Sequence, residues 1–232
     1  MKEIQDMKYS KNTKKLSLMF DKIAFKYDLI NKILSFGLDS KWRQKLKNEV
    51  KIIPNMKILD IGTGTGKTAK EFLEKNALIV GIDISELMLK IAKKNYSKIS
   101  FIKTDCLNLS FKENCFDLIT MTFCLRNVEN IENALKEINK VIKKSGFFYL
   151  LGLINPTCKI IKILYFFYLL FIVPIVSKLF RGSFRSYLGL YQSIKNFPNS
   201  IVLKTLFEKS GFKEVEMVPL FFGTVHLIKA RK

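Results

Sequence analysis

Between Lys57 and Gly152, apolar residues fall in short continuous runs separated by stretches in which they recur every three or four positions. Continuous runs of that length suit strands buried on both faces, and the intervening spacing suits amphipathic helices. The pattern therefore predicts a parallel sheet covered on both sides. Strands are expected at 57–61, 78–83, 99–103, 116–123 and 146–152, with helices at 67–75, 85–96 and 130–143. Ser85, with Asp83 just before it, supplies an N-terminal capping signal for the second of these helices. Ahead of this core, LMFDKIAFKYDLINKILSFGLDSKWRQKLKNEV (18–50) reads as two amphipathic helices broken at Gly37. Behind it, Gly211 and Pro219 punctuate two strands at about 213–218 and 223–229, which would form a hairpin on the sheet edge. The fold class expected is α/β, a doubly wound, mostly parallel sheet of seven strands.

One segment breaks the alternation. ILYFFYLLFIVPIVS (163–177) carries no charge, yet it is shorter than the roughly 20 residues that span a bilayer, and it contains Pro174. It is expected as a buried or interfacial helix. Its apolar character on all sides, between Lys159 and Lys162 before it and Lys178, Arg181 and Arg185 after it, suits contact with lipid or enclosure of a lipid tail, although a plain core helix would read the same way.

Charge sharpens this only partly. The formal net charge is +20, which would suit nucleic acid or an anionic membrane surface. Five of the 40 basic residues are arginine (Arg43, Arg126, Arg181, Arg185, Arg231), so 35 are lysine, and Ile, Phe and Asn are also heavily used. That mix follows from codons rich in A and T as readily as from a basic partner. No dense basic run with interleaved aromatics marks a nucleic-acid groove, so no nucleic-acid partner is expected. Cys106, Cys115, Cys124 and Cys158 have no CxxC spacing and lie in or beside apolar runs, so buried free thiols are expected, with no metal site and no disulfide framework. Residues 1–17 are polar and lysine-rich, lack the apolar centre of a secretory signal, and contain acids that a mitochondrial presequence avoids; a short arm of a cytoplasmic protein is expected.

The chemistry starts at ILDIGTGTGKTAKEF (58–72), an apolar strand running into Gly62, Gly64 and Gly66. Strand, tight turn and helix open a nucleotide-binding α/β unit, but the spacing is GxGxG, whereas dinucleotide folds use GxGxxG, and Lys67 stands where the third glycine would fall. That favours a cofactor without a pyrophosphate, such as S-adenosylmethionine, over NAD. Asp60, two residues before the loop, would support the loop or pair with the cofactor's ammonium. Asp83 ends the second strand where an acid can accept both ribose hydroxyls, as in NAD enzymes too, and Asp105 follows the third strand in reach of an adenine amino group. Three acids ending three consecutive strands make methyl transfer the stronger reading.

More specific motifs surround this loop: MFDKIAFKYDLIN (19–31), SFGLDSKWR (35–43), NCFDLITMTFCLRNVEN (114–130), LYFFYLLFIVP (164–174) and QSIKNFP (192–198). With them the chain resembles, from Met19 to its C-terminus, the ubiquinone/menaquinone biosynthesis C-methyltransferases, within the class I S-adenosylmethionine-dependent methyltransferases. The resemblance implies residues 1–50 as an arm with cap helices and 51–232 as a methyltransferase domain carrying an apolar helical insertion at 157–197. It implies Thr65, Asp83, the Asp105–Cys106 pair and Thr122 as cofactor contacts beside Gly62, Gly64, Gly66 and Asp60. It also implies a polyprenylated quinol as substrate, methylated on a ring carbon. The ending PLFFGTVHL tilts that substrate toward demethylmenaquinol rather than the methoxy-benzoquinol of ubiquinone synthesis. Arg126 would stabilise a developing phenolate, Asn127 would orient a hydroxyl or water, and Tyr27 would close over the cofactor or contact the ring.

Three positions depart from the family's commoner pattern. Lys67 stands where an aspartate usually follows the loop, which would weaken cofactor affinity or shift the ammonium contact onto Asp60. Gly152 replaces a usual glutamate, and Ile228 a histidine seen in many members; the single histidine, His226, lies two positions away. These departures are the only support for a non-catalytic subunit of a quinone-biosynthesis assembly, and the net charge the only support for a nucleic-acid methyltransferase. Peripheral contact with the inner membrane face is expected, and a homodimer is left open.

Overall fold

The computed structural model describes residues 12–73, 76–175 and 184–232, with backbone alone for 184–188. Seven strands form one sheet: β1 (Lys57–Ile61), β2 (Leu78–Asp83), β3 (Ser100–Lys103), β4 (Phe116–Thr122), β5 (Ile142–Leu153), β6 (Lys213–Leu220) and β7 (Val225–Arg231). Their spatial order is β3-β2-β1-β4-β5-β7-β6. Strands β1 to β5 are parallel, and β7 runs antiparallel to both of its neighbours. The order reverses between β1 and β4, and the crevice beyond their carboxyl ends is where such a sheet receives a ligand.

Strand periodicity sends alternate residues to opposite faces. Ile58 and Leu118 pair across β1 and β4 and pack on one face with Leu46, Phe72, Leu89 and Ala92. Leu59 and Ile119 pair in the same ladder and pack on the other with Leu135, Ile138, Phe148 and Phe207. The first face is covered by α2 (Leu38–Glu49) and α3 (Glu86–Asn95), the second by α4 (Ile131–Val141) and α7 (Ser200–Lys209). Each aliphatic or aromatic side chain buried this way contributes about 1.5–3 kcal/mol. Helix ends follow their capping residues: the side chains of Ser85, Asn130 and Asn199 accept from the backbone N–H of Met88, Asn133 and Val202.

The strand expectations hold with ends moved by a few residues, and two helix expectations do not. Over 67–75, the described residues form only a 3₁₀ turn, Ala69–Phe72. The Thr68 hydroxyl that could cap a longer helix accepts instead from Arg43 Nε (3.2 Å), and Ala69 and Phe72 are buried against the sheet. At the other end, helix α1 (Thr13–Leu34) starts well before residue 18. Asn12 caps it by accepting from Lys15 N, so Thr13–Ser17 is helix and not arm; residues 1–11 lie outside the described residues. The break at Gly37 is as expected, with φ of 73° at the junction between α1 and α2.

The apolar insertion forms α5 (Lys159–Phe167), which continues through a π-helical turn at Tyr168–Ile172. Pro174 lacks an N–H, and a turn of wider pitch is one way a helix absorbs such a gap. Residues 176–183, with Lys178 and Arg181, lie outside the described residues, and α6 (Phe184–Lys195) follows. No described helix is long and apolar enough to cross a membrane.

Candidate active site

The carboxyl ends of β1, β2, β3 and β4 open into a cavity roofed by α1. Its floor is the glycine loop. Gly62 takes φ of 64°, and a side chain there would collide with Cys124; Gly64 takes φ of 55° with open space beside it. A residue with a Cβ would be strained at both. The Asp83 carboxylate holds the loop in place, accepting from Gly64 N (2.8 Å) and Ser85 N (2.9 Å); burial pushes its carboxyl up. Asp105 accepts from Leu107 N (3.0 Å) and from the Thr13 hydroxyl (2.6 Å). Cys106 and Thr122 join the lining, and the buried hydroxyls of Thr63 and Thr122 have no hydrogen-bond partner. Burial pushes the Cys106 thiol up, and the Cys124 thiol to about 12, so neither is a nucleophile at neutral pH.

Asp60 does not reach this lining. It lies inside the sheet at 0% exposure, where one carboxylate oxygen accepts from Thr120 (2.7 Å) and the other has no partner. Burial pushes its carboxyl up to about 6. Gly66 also stays behind the wall, packed toward Tyr96 and Phe101. Thr65 faces the cavity, and its hydroxyl lies 3.0 Å from each oxygen of Asp28 on α1.

That contact belongs to a set. Along one stripe of α1, Thr13 donates to Asp105, Ser17 donates to the Ile84 carbonyl (2.9 Å), Asp21 accepts from Ser85 Oγ (2.6 Å) and Leu87 N (3.1 Å), and Asp28 meets Thr65 and Lys67. The stripe ties α1 to the loops after β1, β2 and β3. Its signal in the sequence was the recurrence of short polar side chains at positions 13, 17, 21 and 28, close to whole helical turns apart.

A second cavity of about 560 Å³ adjoins the first. Its walls are α1 (Phe20, Ile23, Ile30), α5 (Leu164, Tyr165, Leu169) and the turn before β7 (Phe221, Phe222). Phe20, Tyr27, Arg43, Phe123 and Asn127 line both spaces, so the two meet there. Tyr27 is half-buried, and desolvation pushes its phenol up. Arg126 opens onto the apolar cavity with Nη1 donating to Asn127 Oδ1 (2.8 Å) and Ser193 Oγ (2.7 Å), while its buried Nε has no partner. No carboxylate pairs with Arg126 among the described residues. Leu190 lines this cavity, whereas Phe197 packs in the core, and the Tyr187 side chain lies outside the described residues. Gly152, His226 and Ile228 sit together behind Arg126 around a much smaller space.

The first cavity fits S-adenosylmethionine in the chemistry of its donors and acceptors. Asp105 beside apolar Met88 and Leu107 suits an adenine, Asp83 a ribose, and the loop with Thr65, Lys67 and Asp28 an amino acid. The fold agrees. A Thermotoga maritima S-adenosylmethionine-dependent methyltransferase, described as a possible histamine N-methyltransferase, superposes with a TM-score of 0.67 at 22% identity, covering 92% of this chain and 98% of that one. A Methanococcus maripaludis structure described as a putative S-adenosylmethionine-dependent methyltransferase superposes at 0.64 and 21% identity, covering 91% and 93%. Closer in sequence are proteins named demethylmenaquinone methyltransferase: one from Thermotoga maritima is 39% identical over 215 residues (91% of this chain, 93% of the relative), and one from Bacteroides fragilis 36% identical over 231 residues (96% and 94%). The model of the ubiE/COQ5 methyltransferase family matches residues 7–232. With a match over nearly its whole length, this chain is a methyltransferase of the ubiE/COQ5 family.

Proposed function

We propose that the protein transfers a methyl group from S-adenosylmethionine to a ring carbon of a polyprenylated naphthoquinol, demethylmenaquinol, as in menaquinone biosynthesis. The observation that carries this reading is the meeting of the cavity lined by the glycine loop, Asp83 and Asp105 with a large apolar one at Tyr27, Phe123 and Asn127, with Arg126 opening onto the apolar side and bonded to Asn127. The names of the relatives support the naphthoquinol over the benzoquinol.

When bound, the cofactor supplies an electrophilic methyl group. The chain's residues supply the rest. A neutral aromatic carbon is a poor nucleophile, and an ortho phenolate pushes electron density onto it. The Arg126 guanidinium lines the apolar cavity with no carboxylate paired to it among the described residues, and its charge favours the ionised form of that phenolate. Asn127, already fixed by Arg126, orients the ring hydroxyl, and Tyr27 closes the junction against water. Asp83 and Asp105 hold the ribose and adenine, beside Gly62, Gly64, Thr65, Cys106 and Thr122. The apolar insertion 157–197 supplies one wall of the tail cavity, and the cap helices of the 1–50 segment supply its roof.

The same insertion brings the protein to a lipid surface where its substrate resides. Ile163 (69%), Phe171 (54%) and, across the cavity mouth, Phe222 (76%) are exposed, beside Lys159 and Lys162. These exposed apolar side chains support a peripheral position at the inner face of the membrane.

Methyl-labelled S-adenosylmethionine supplied with demethylmenaquinol, the matching methoxy-benzoquinol or RNA tests the substrate. Label in the naphthoquinol is expected. Label only in the benzoquinol or only in RNA would overturn the assignment, and cofactor binding with no label in any acceptor would favour a non-catalytic role.

A further inference from the structure

Lys67 directly follows the glycine loop, and an acid, Asp28, stands beside it on α1. Asp28 lies 3.4 Å from Lys67 Nζ, with the Thr65 hydroxyl 3.0 Å from both carboxylate oxygens. Both charged groups line the cofactor cavity, and each is about a third exposed (31% for Lys67, 36% for Asp28). They stand at the glycine-loop end of the α1 stripe, away from Asp105, which is tied to Thr13 at the helix start. A negative and a positive side chain side by side at that end are the charge pattern complementary to an α-amino acid.

We infer that Asp28 and Lys67 together read the amino-acid end of S-adenosylmethionine, Asp28 taking the ammonium and Lys67 the carboxylate. This rests on the reading that the cavity holds that cofactor. The other acids fit the ammonium less well. Asp60 is inside the sheet and bonded to Thr120. Asp83 already accepts from two backbone N–H groups, and Asp105 is at the opposite end. Glu129 lines the cavity from the β4 side, apart from the loop. Cofactor binding and closure of α1 become one event, because Asp28 is also one of the ties that hold α1 down.

Two ligands separate recognition from closure: S-adenosylhomocysteine, and 5′-methylthioadenosine, which keeps the adenosine and thioether but lacks the amino acid. Calorimetry on the whole protein is expected to show Asp28→Asn and Lys67→Ala each weakening S-adenosylhomocysteine at least about tenfold while 5′-methylthioadenosine stays within about twofold. Asp21→Asn, which loosens α1 at Ser85 and Leu87, is expected to weaken both ligands alike. If Asp28→Asn behaves like Asp21→Asn, Asp28 is only a latch and the inference falls. If Glu129→Gln produces the selective loss and Asp28→Asn does not, the ammonium belongs to Glu129. If the unaltered protein binds neither ligand, it is the cofactor reading itself that fails.

Discussion

Arg126 lines the apolar cavity and holds no carboxylate among the described residues, so its charge is available to whatever anion forms there. Arg126→Ala is therefore expected to lower kcat about 10²–10³-fold while the dissociation constant for S-adenosylhomocysteine stays nearly unchanged. Equal losses in both would move Arg126 into cofactor binding. Asp60 makes a different kind of prediction. Its carboxyl is pushed up to about 6 by burial, above its ordinary 3.8. The native state therefore binds the proton more tightly than the unfolded chain, and the stability held at low pH is lost as pH rises through about 4 to 6. The loss is on the order of 3 kcal/mol. In urea unfolding, Asp60→Asn is expected to gain on the unaltered protein across that window and to hold a constant difference above it; parallel curves would mean Asp60 titrates normally. At this scale the sequence was legible wherever a residue's place depends on its strand: Asp83 and Thr122 close their strands, and Asp105 and Arg126 follow theirs. At Asp28 and Asp21 the spacing marks a shared face of α1 but not its partners, which come from loops 37 and 64 residues away.

Among the elements, α5 bears the clearest consequence. A helix apolar on all sides would normally be buried, yet Ile163, Phe167 and Phe171 are more than half exposed while Leu169 and Val173 close the tail cavity. Replacing Phe171 by Asp is expected to reduce sedimentation with anionic vesicles severalfold and leave thermal stability nearly unchanged, since the side chain packs chiefly on exposed Phe167. Undiminished sedimentation would place the lipid contact elsewhere. Strands and the helices with strong caps were readable from pattern alone. The helix expected at 67–75 was not realised, because the Thr68 hydroxyl is claimed by Arg43 of α2, and the helical Thr13–Ser17 segment was misread because its polar face is satisfied by the sheet ends it covers.

At the scale of the molecule, the sheet order sets a single crevice, and the chain outside the sheet divides it. Helix α1 covers the polar half, and α1 together with α5 and the turn before β7 encloses the apolar half. The sheet was visible in the hydrophobic pattern, whereas the division arises from tertiary packing between segments at opposite ends of the chain, as in the Tyr168 hydroxyl donating to the Leu34 carbonyl (2.7 Å). The account depends on the two cavities presenting methyl donor and ring carbon to each other. The most direct test is to supply ¹³C-methyl S-adenosylmethionine with demethylmenaquinol and locate the transferred methyl in the product by NMR. A methyl bonded to a ring carbon is predicted; a methyl on a ring oxygen, or an unlabelled quinol, would contradict it.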